Sequence, residues 1–150
     1  LSSVQFIFRF SKTAATTIPL STRFPIRNMT SSSSLNAIVD VEIDPEGKFK
    51  YILVKVTDAG SKVDKNIVRG TKSAEFHPDI FAKVEPAIKL LGDFELEVLG
   101  GGKIIHEPEK KSIKVFSKST GYGKADHEIT CEILKKKYPD YASITWSDDD

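Results

Sequence analysis

Lys48-Phe49-Lys50-Tyr51-Ile52-Leu53-Val54-Lys55-Val56-Thr57 reads as a strong β-strand. It is rich in β-branched and aromatic residues, which suit a pleated, half-buried surface. Phe49, Tyr51 and Leu53 fall on one face, and Lys50, Ile52, Val54 and Val56 on the other. Lys50 thus shares a face with apolar side chains near the strand's start. An amine there is either an edge residue snorkelling to water or a ligand for an anion, and the local sequence favours the first.

Upstream, Asp44-Pro45-Glu46-Gly47 is a turn signal with Pro at its second position. Before it, Ile38, Val39, Val41 and Ile43 read as a short strand, so ordered structure should begin near Ala37. Downstream, Asp58 to Lys65 reads as a polar loop, and Asn66 to Thr71 as a strand carrying Arg69. Ile80, Phe81, Val84, Ile88 and Leu91 then recur at helical spacing. Pro78 suits the first position of that helix and Gly92 its end. Pro86 inside it predicts a kink or a break. Phe94, Leu96 and Val98 alternate with Glu95 and Glu97 as a half-exposed strand. Gly100-Gly101-Gly102 is expected to turn the chain before a strand at Lys103 to His106. After a charged turn at Glu107 to Lys111, Ile113 and Val115 mark a further strand. A helical pattern follows from about Lys124 to Lys137, with Ile129, Ile133, Leu134 and Tyr138 as its apolar stripe. Ala142 to Trp146 returns as a last strand. This order predicts the α/β class in the broad sense, of α+β type. It implies one compact domain with a mixed or mainly antiparallel sheet and two α-helices.

Charge is unevenly distributed. The 150 residues carry a net +1, which argues against a dedicated nucleic-acid binder. Residues 1–39 hold four basic side chains (Arg9, Lys12, Arg23, Arg27) and no acidic one. Of the 22 basic residues, 18 therefore remain to face 21 acidic ones in the rest, a net of −3. Any anion site in the fold must be local. Residues 1–36, rich in Ser and Thr, look unlike the rest. They read as an organelle transit peptide or, with Met29 as the true start, as a leader over residues 1–28. Residues 37–147 form the domain, and 148–150 an acidic tail expected to be disordered. No apolar run approaches a membrane span. Cys131 is the only cysteine, so no intrachain disulfide forms, and it falls on the apolar side of its helix.

The chemistry gathers at two places. In Ala74-Glu75-Phe76-His77-Pro78-Asp79-Ile80-Phe81, His77 lies at or near the helix N-cap. The positive helix end disfavours imidazolium, so a neutral, exposed ring is expected. Such a ring is either a nucleophile or base for phosphate chemistry or a capping histidine without chemistry. In Ser119-Thr120-Gly121-Tyr122-Gly123, small residues before a helix let backbone N–H groups close on an anion, or simply form a flexible loop. The full Walker pattern is absent. His77, His106 and His127 lie on separate elements without a ligand-pair spacing, so no metal is expected. Cys131 lacks the phosphatase Cys-x5-Arg spacing, because Lys137 stands sixth after it.

Six segments together resemble the phosphohistidine phosphatase (janus/ocnus) family over about residues 38–146. They are Gly47 to Val54, Ile67-Val68-Arg69-Gly70, Ala74 to Ile80, Leu99-Gly100-Gly101-Gly102-Lys103-Ile104-Ile105-His106, Ser119 to Gly123, and Lys137-Tyr138-Pro139-Asp140-Tyr141. The resemblance implies a six-stranded sheet with two helices, and a metal-independent phosphatase, without cofactor, acting on phosphohistidine and on phospholysine in proteins. It places His77 at the catalytic position and Lys50 at the substrate-binding lysine. Ser119, Thr120 and Gly121 match the phosphoryl-holding loop. Arg69 and Lys103 match positive positions associated with the site, and His127 an accessory histidine near it. Pro78 stands where other members have Ala, Gly121 where they have a small Ala, and Lys103 where Arg is common. Lysine supplies a point charge but no bidentate fork. Implied partners are histidine-phosphorylated proteins, with no nucleic acid and no membrane, and the chain is expected to be a monomer. A cytoplasmic location follows, or a mitochondrial one if residues 1–28 are a transit peptide. The alternative function is a phosphoprotein-binding module with vestigial catalysis.

Overall fold

A computed structural model describes residues 35–150. The expected leader therefore lies outside the described residues up to Ser34. In chain order the elements are β1 (Val41–Glu42), β2 (Gly47–Asp58), β3 (Asp64–Thr71), α1 (His77–Lys89) and β4 (Phe94–Glu107). A short 3-10 turn at Pro108–Lys110 leads to β5 (Ser112–Phe116), α2 (His127–Lys137) and β6 (Ser143–Trp146). The six strands form one sheet in the order β1-β3-β2-β4-β5-β6. The two outer pairs, β1–β3 and β5–β6, are parallel and the inner pairs antiparallel, so the sheet is mixed as expected.

β2 is central because both of its faces are apolar. Phe49, Tyr51 and Leu53 join one buried cluster, with Cys131 and Leu134 of α2. Ile52, Val54 and Val56 join the other, with Ile80 and Ile88 of α1. Each helix thus covers one face of the sheet. Tyr51, Ile52, Leu53, Val54 and Val56 are wholly buried, and each aliphatic side chain so buried is worth about 1.5–3 kcal/mol. Cys131 is core, as its position predicts, and burial pushes its thiol pKa up to about 11.

Several expectations require correction. Gly100-Gly101-Gly102 does not turn the chain; it lies inside the 14-residue β4. Leu53 pairs with Gly100 and Val54 with Val98, so Leu99 is the extra residue of a bulge. Glycine is disfavoured in strands, which is why the triplet reads as a turn. The neighbours that require it come from distant parts of the chain. Pro86 does not break α1, whose ladder continues with Leu90 N–H donating to the Pro86 carbonyl. Ala82 and Pro86 are exposed, so the carbonyl that Pro86 leaves without a donor is open to water. The strand expected over Ile38 to Ile43 shrinks to two residues, preceded by a helical turn. Leu35, assigned by composition to the leader, is buried in the α1-side cluster. The acidic tail has contacts its composition did not suggest. Ser117 N–H donates to the Asp149 carbonyl at 2.6 Å, and Lys124 pairs with Asp148 at 2.5 Å.

Candidate active site

The glycine triplet joins the parts of the site. A Cβ on Gly101 would come within 2.7 Å of His77 Cδ2, so the bare backbone is what lets the imidazole lie against β4. A Cβ on Gly102 would meet His127 Cε1, also at 2.7 Å, and a third, on Gly100, would meet the Ala125 nitrogen at 2.6 Å. Gly101 also binds the loop before α2. Its N–H donates to the Gly123 carbonyl, and its carbonyl accepts from Ala125 N–H, both at 3.0 Å.

His77 is the first residue of α1, with Phe76 as N-cap and Pro78 one place later than expected. The residue is only 6% exposed, not the open imidazole expected from sequence, because Gly101 lets the ring sink against the sheet. Its Nε2 lies 2.9 Å from the Gly102 carbonyl. A carbonyl can only accept, so Nε2 carries the proton and the lone pair is left on Nδ1. Burial lowers the pKa, Gly102 opposes that, and the charges of Lys50 and Lys103 lower it further. The ring is therefore neutral at pH 7, through desolvation first.

Lys50 and Lys103 are direct cross-strand partners on β2 and β4. Facing like charges destabilise a sheet unless something negative lies between or above them. Both line one cleft of about 510 Å³ with His77, Phe76, Pro78, Ser117, Lys118, Ser119, Thr120, Gly121 and Asp150. Ser119 is buried, and its backbone bonds in both directions with Gly123. Its hydroxyl oxygen also accepts from Tyr122 N–H at 3.1 Å. The intervening turn is thus held at both ends, and around Gly121 there is open space. Lys50, His77, Lys103, Ser119, Thr120 and Gly121 are brought together.

Arg69 and His127 do not join them. Arg69 is buried in β3, where its guanidinium donates to the Val39 carbonyl at 2.8 Å and lies 3.6 Å from Glu42. It ties β3 to the segment entering β1. His127 packs on the α2 side beneath Gly102, where Nδ1 accepts from the Tyr51 hydroxyl at 2.7 Å. Its Nε2–H donates to the Ser117 carbonyl at 2.8 Å, so it reaches the cleft through the backbone at the loop's root. Ser117 itself, with φ of 68°, escapes sequence reading, since serine gives no signal for a left-handed conformation. Among the described residues no three His, Cys, Asp or Glu side chains are grouped to hold a metal ion.

His77 and His127 both have pKa values below the usual 6.5, burial being the main cause. The unfolded chain therefore binds more protons than the native one as pH falls through 6.5, and native stability must decline there. Tm is expected to fall between pH 7.5 and pH 5.5, and replacing either histidine with glutamine should flatten that slope.

Fold and cleft define a class: an α+β domain with a neutral imidazole, facing lysines and a glycine-hydroxyl loop around one cleft. The profile of the Janus/Ocnus family matches residues 35–142, and the chain belongs to that family. It is 45% identical over 128 residues to the 14 kDa phosphohistidine phosphatase of Sus scrofa, covering 81% of this chain and 98% of the relative. The Homo sapiens protein of the same name is 43% identical over 122 residues, covering 78% and 96%. The sex-regulated protein janus-A of Drosophila melanogaster is 46% identical over 111 residues, covering 74% and 81%.

Proposed function

We propose that the protein hydrolyses the P–N bond of phosphohistidine in proteins, without a metal ion, with His77 as nucleophile or general base. The observation that carries this is a neutral imidazole whose Nε2–H is committed to Gly102, beside two facing lysines in one cleft. The name borne by the pig and human relatives supports the same chemistry. Phospholysine has the same kind of bond and is the candidate second substrate.

Positioning and charge neutralisation do most of the work in phosphoryl transfer. Lys50, Lys103 and the N–H groups of Thr120 and Gly121 hold the phosphoryl oxygens, while Ser119, its own N–H committed to Gly123, fixes the turn. In one route the Nδ1 lone pair of His77 attacks phosphorus while the P–N bond to the substrate imidazole breaks. The leaving nitrogen takes a proton from solvent, and water then hydrolyses phospho-His77. In the other, Nδ1 removes a proton from water as its oxygen attacks phosphorus and the P–N bond breaks, the leaving nitrogen again taking a proton from solvent. Both routes give histidine and inorganic phosphate. His127 acts as an accessory by holding the Ser117 carbonyl, and Arg69 serves the site only through β3.

Lys50→Ala is expected to weaken competitive inhibition by inorganic phosphate about tenfold, the worth of one charge-assisted contact. It should also raise the His77 pKa, since Lys50 is one of the charges lowering it. Inhibition assays and an NMR titration of the imidazole check both effects. An unchanged response to phosphate would remove Lys50 from the site.

The second reading is a phosphoprotein-binding module, favoured by the janus-A relatives, whose name specifies no chemistry. A binder needs the lysines and the loop but has no use for an imidazole held neutral. The reading includes a monomer in the cytoplasm, with a mitochondrial form if residues 1–28 are a transit peptide. Among the described residues no helix is long and apolar enough to cross a membrane.

A further inference from the structure

We infer that Phe76 sets the leaving-group preference of the cleft by packing its ring against the imidazole of the substrate phosphohistidine. This rests on the phosphohistidine reading above. Phe76 is 60% exposed although aromatic, and it lines the cleft next to His77. It also occupies the N-cap of α1, where Ser, Thr, Asp or Asn would satisfy an orphan N–H and a phenyl ring cannot. A residue that gives up both burial and capping at this position is explained by what its ring faces.

Its backbone is firmly held. Phe76 N–H donates to the Asp79 carboxylate at 2.8 Å, and Asp79 N–H donates back to the Phe76 carbonyl at 3.0 Å. The ring is thus carried on a fixed support one residue from the reacting histidine. The cleft divides by polarity. Lys50, Lys103 and the Ser119 to Gly121 turn offer charge and N–H groups, whereas Phe76 and Pro78 form an apolar edge. At about 510 Å³ the cleft has the size of a site for a whole small ligand, more than a phosphate needs. With the phosphoryl group on the lysines, the flat ring it leaves falls against the apolar edge. Aromatic pairs gain from such contact beyond burial alone, and a flexible lysine stem gains less.

The test compares phosphate release from a histidine-phosphorylated peptide and from phosphoramidate, which has a P–N bond but no ring. The ratio of kcat/KM values, peptide over phosphoramidate, is expected to fall about three- to tenfold in Phe76→Ala. Phe76→Tyr, which keeps the ring, should restore it. A ratio unmoved by Phe76→Ala, whether both rates hold or both drop together, would overturn this inference alone. Wild-type protein that releases phosphate from neither substrate would overturn the phosphatase reading and this inference with it.

Discussion

His77→Ala is expected to slow phosphate release from histidine-phosphorylated protein by about 10²–10⁴-fold, the usual worth of a positioned acid–base or nucleophilic group. The variant should still unfold in one cooperative transition. The ring makes one hydrogen bond, to Gly102, and the carbonyl left behind is the main structural loss. That costs about 1–3 kcal/mol, well inside the stability of an ordinary domain. His77→Gln, whose amide can donate to the same carbonyl, separates the two effects: stability should recover and activity should not. Near-wild-type activity in either variant would reduce His77 to a helix-end residue without chemistry.

Gly101→Ala is the second large effect, and it should damage stability and activity together. The added methyl would meet His77 Cδ2 at 2.7 Å, the Tyr51 carbonyl at 2.8 Å and Ser119 Cβ at 3.1 Å. The Tyr51 oxygen belongs to the backbone of central β2 and has nowhere to go, so the histidine and the loop must move. Overpacking of this kind typically costs about 1–3 kcal/mol, which lowers Tm by roughly 10 °C in a domain of this size. Phosphate release should drop further than stability explains, because His77 and Ser119 are both displaced. Gly121→Ala is the internal control. Its Cβ would meet nothing within 4 Å, so no comparable loss of stability is expected.

These two substitutions mark the boundary of what the sequence makes legible. The β2 strand can be read directly, because alternation on both faces leaves one arrangement that buries Tyr51 and Leu53 against one helix and Ile52 and Val54 against the other. The neutral state of His77 is likewise legible, but its main cause is not: burial against Gly101 outweighs the helix end. Gly100 to Gly102 misleads because glycine's local preference is for turns, and only the approach of His77, Ala125 and His127 from other elements explains the triplet. The facing of Lys50 and Lys103 depends on a register that the bulge at Leu99 resets, and no local pattern encodes it. Arg69 fails as a cleft residue for a similar reason. Its side chain is claimed by Val39 and Glu42, whose position beside β3 is a matter of topology.

The most direct test of the account is phosphate release by the wild-type protein in EDTA, from one carrier protein phosphorylated on histidine and, separately, on serine. A neutral imidazole, two lysines and a loop suffice for a labile P–N bond with a protonatable leaving group. The more stable phosphoserine ester leaves as an alkoxide, and the proposed mechanism assigns no residue of the cleft to protonate it. Release from phosphohistidine alone, undiminished by EDTA, is the predicted result. No release from phosphohistidine, or release that EDTA abolishes, would contradict the account.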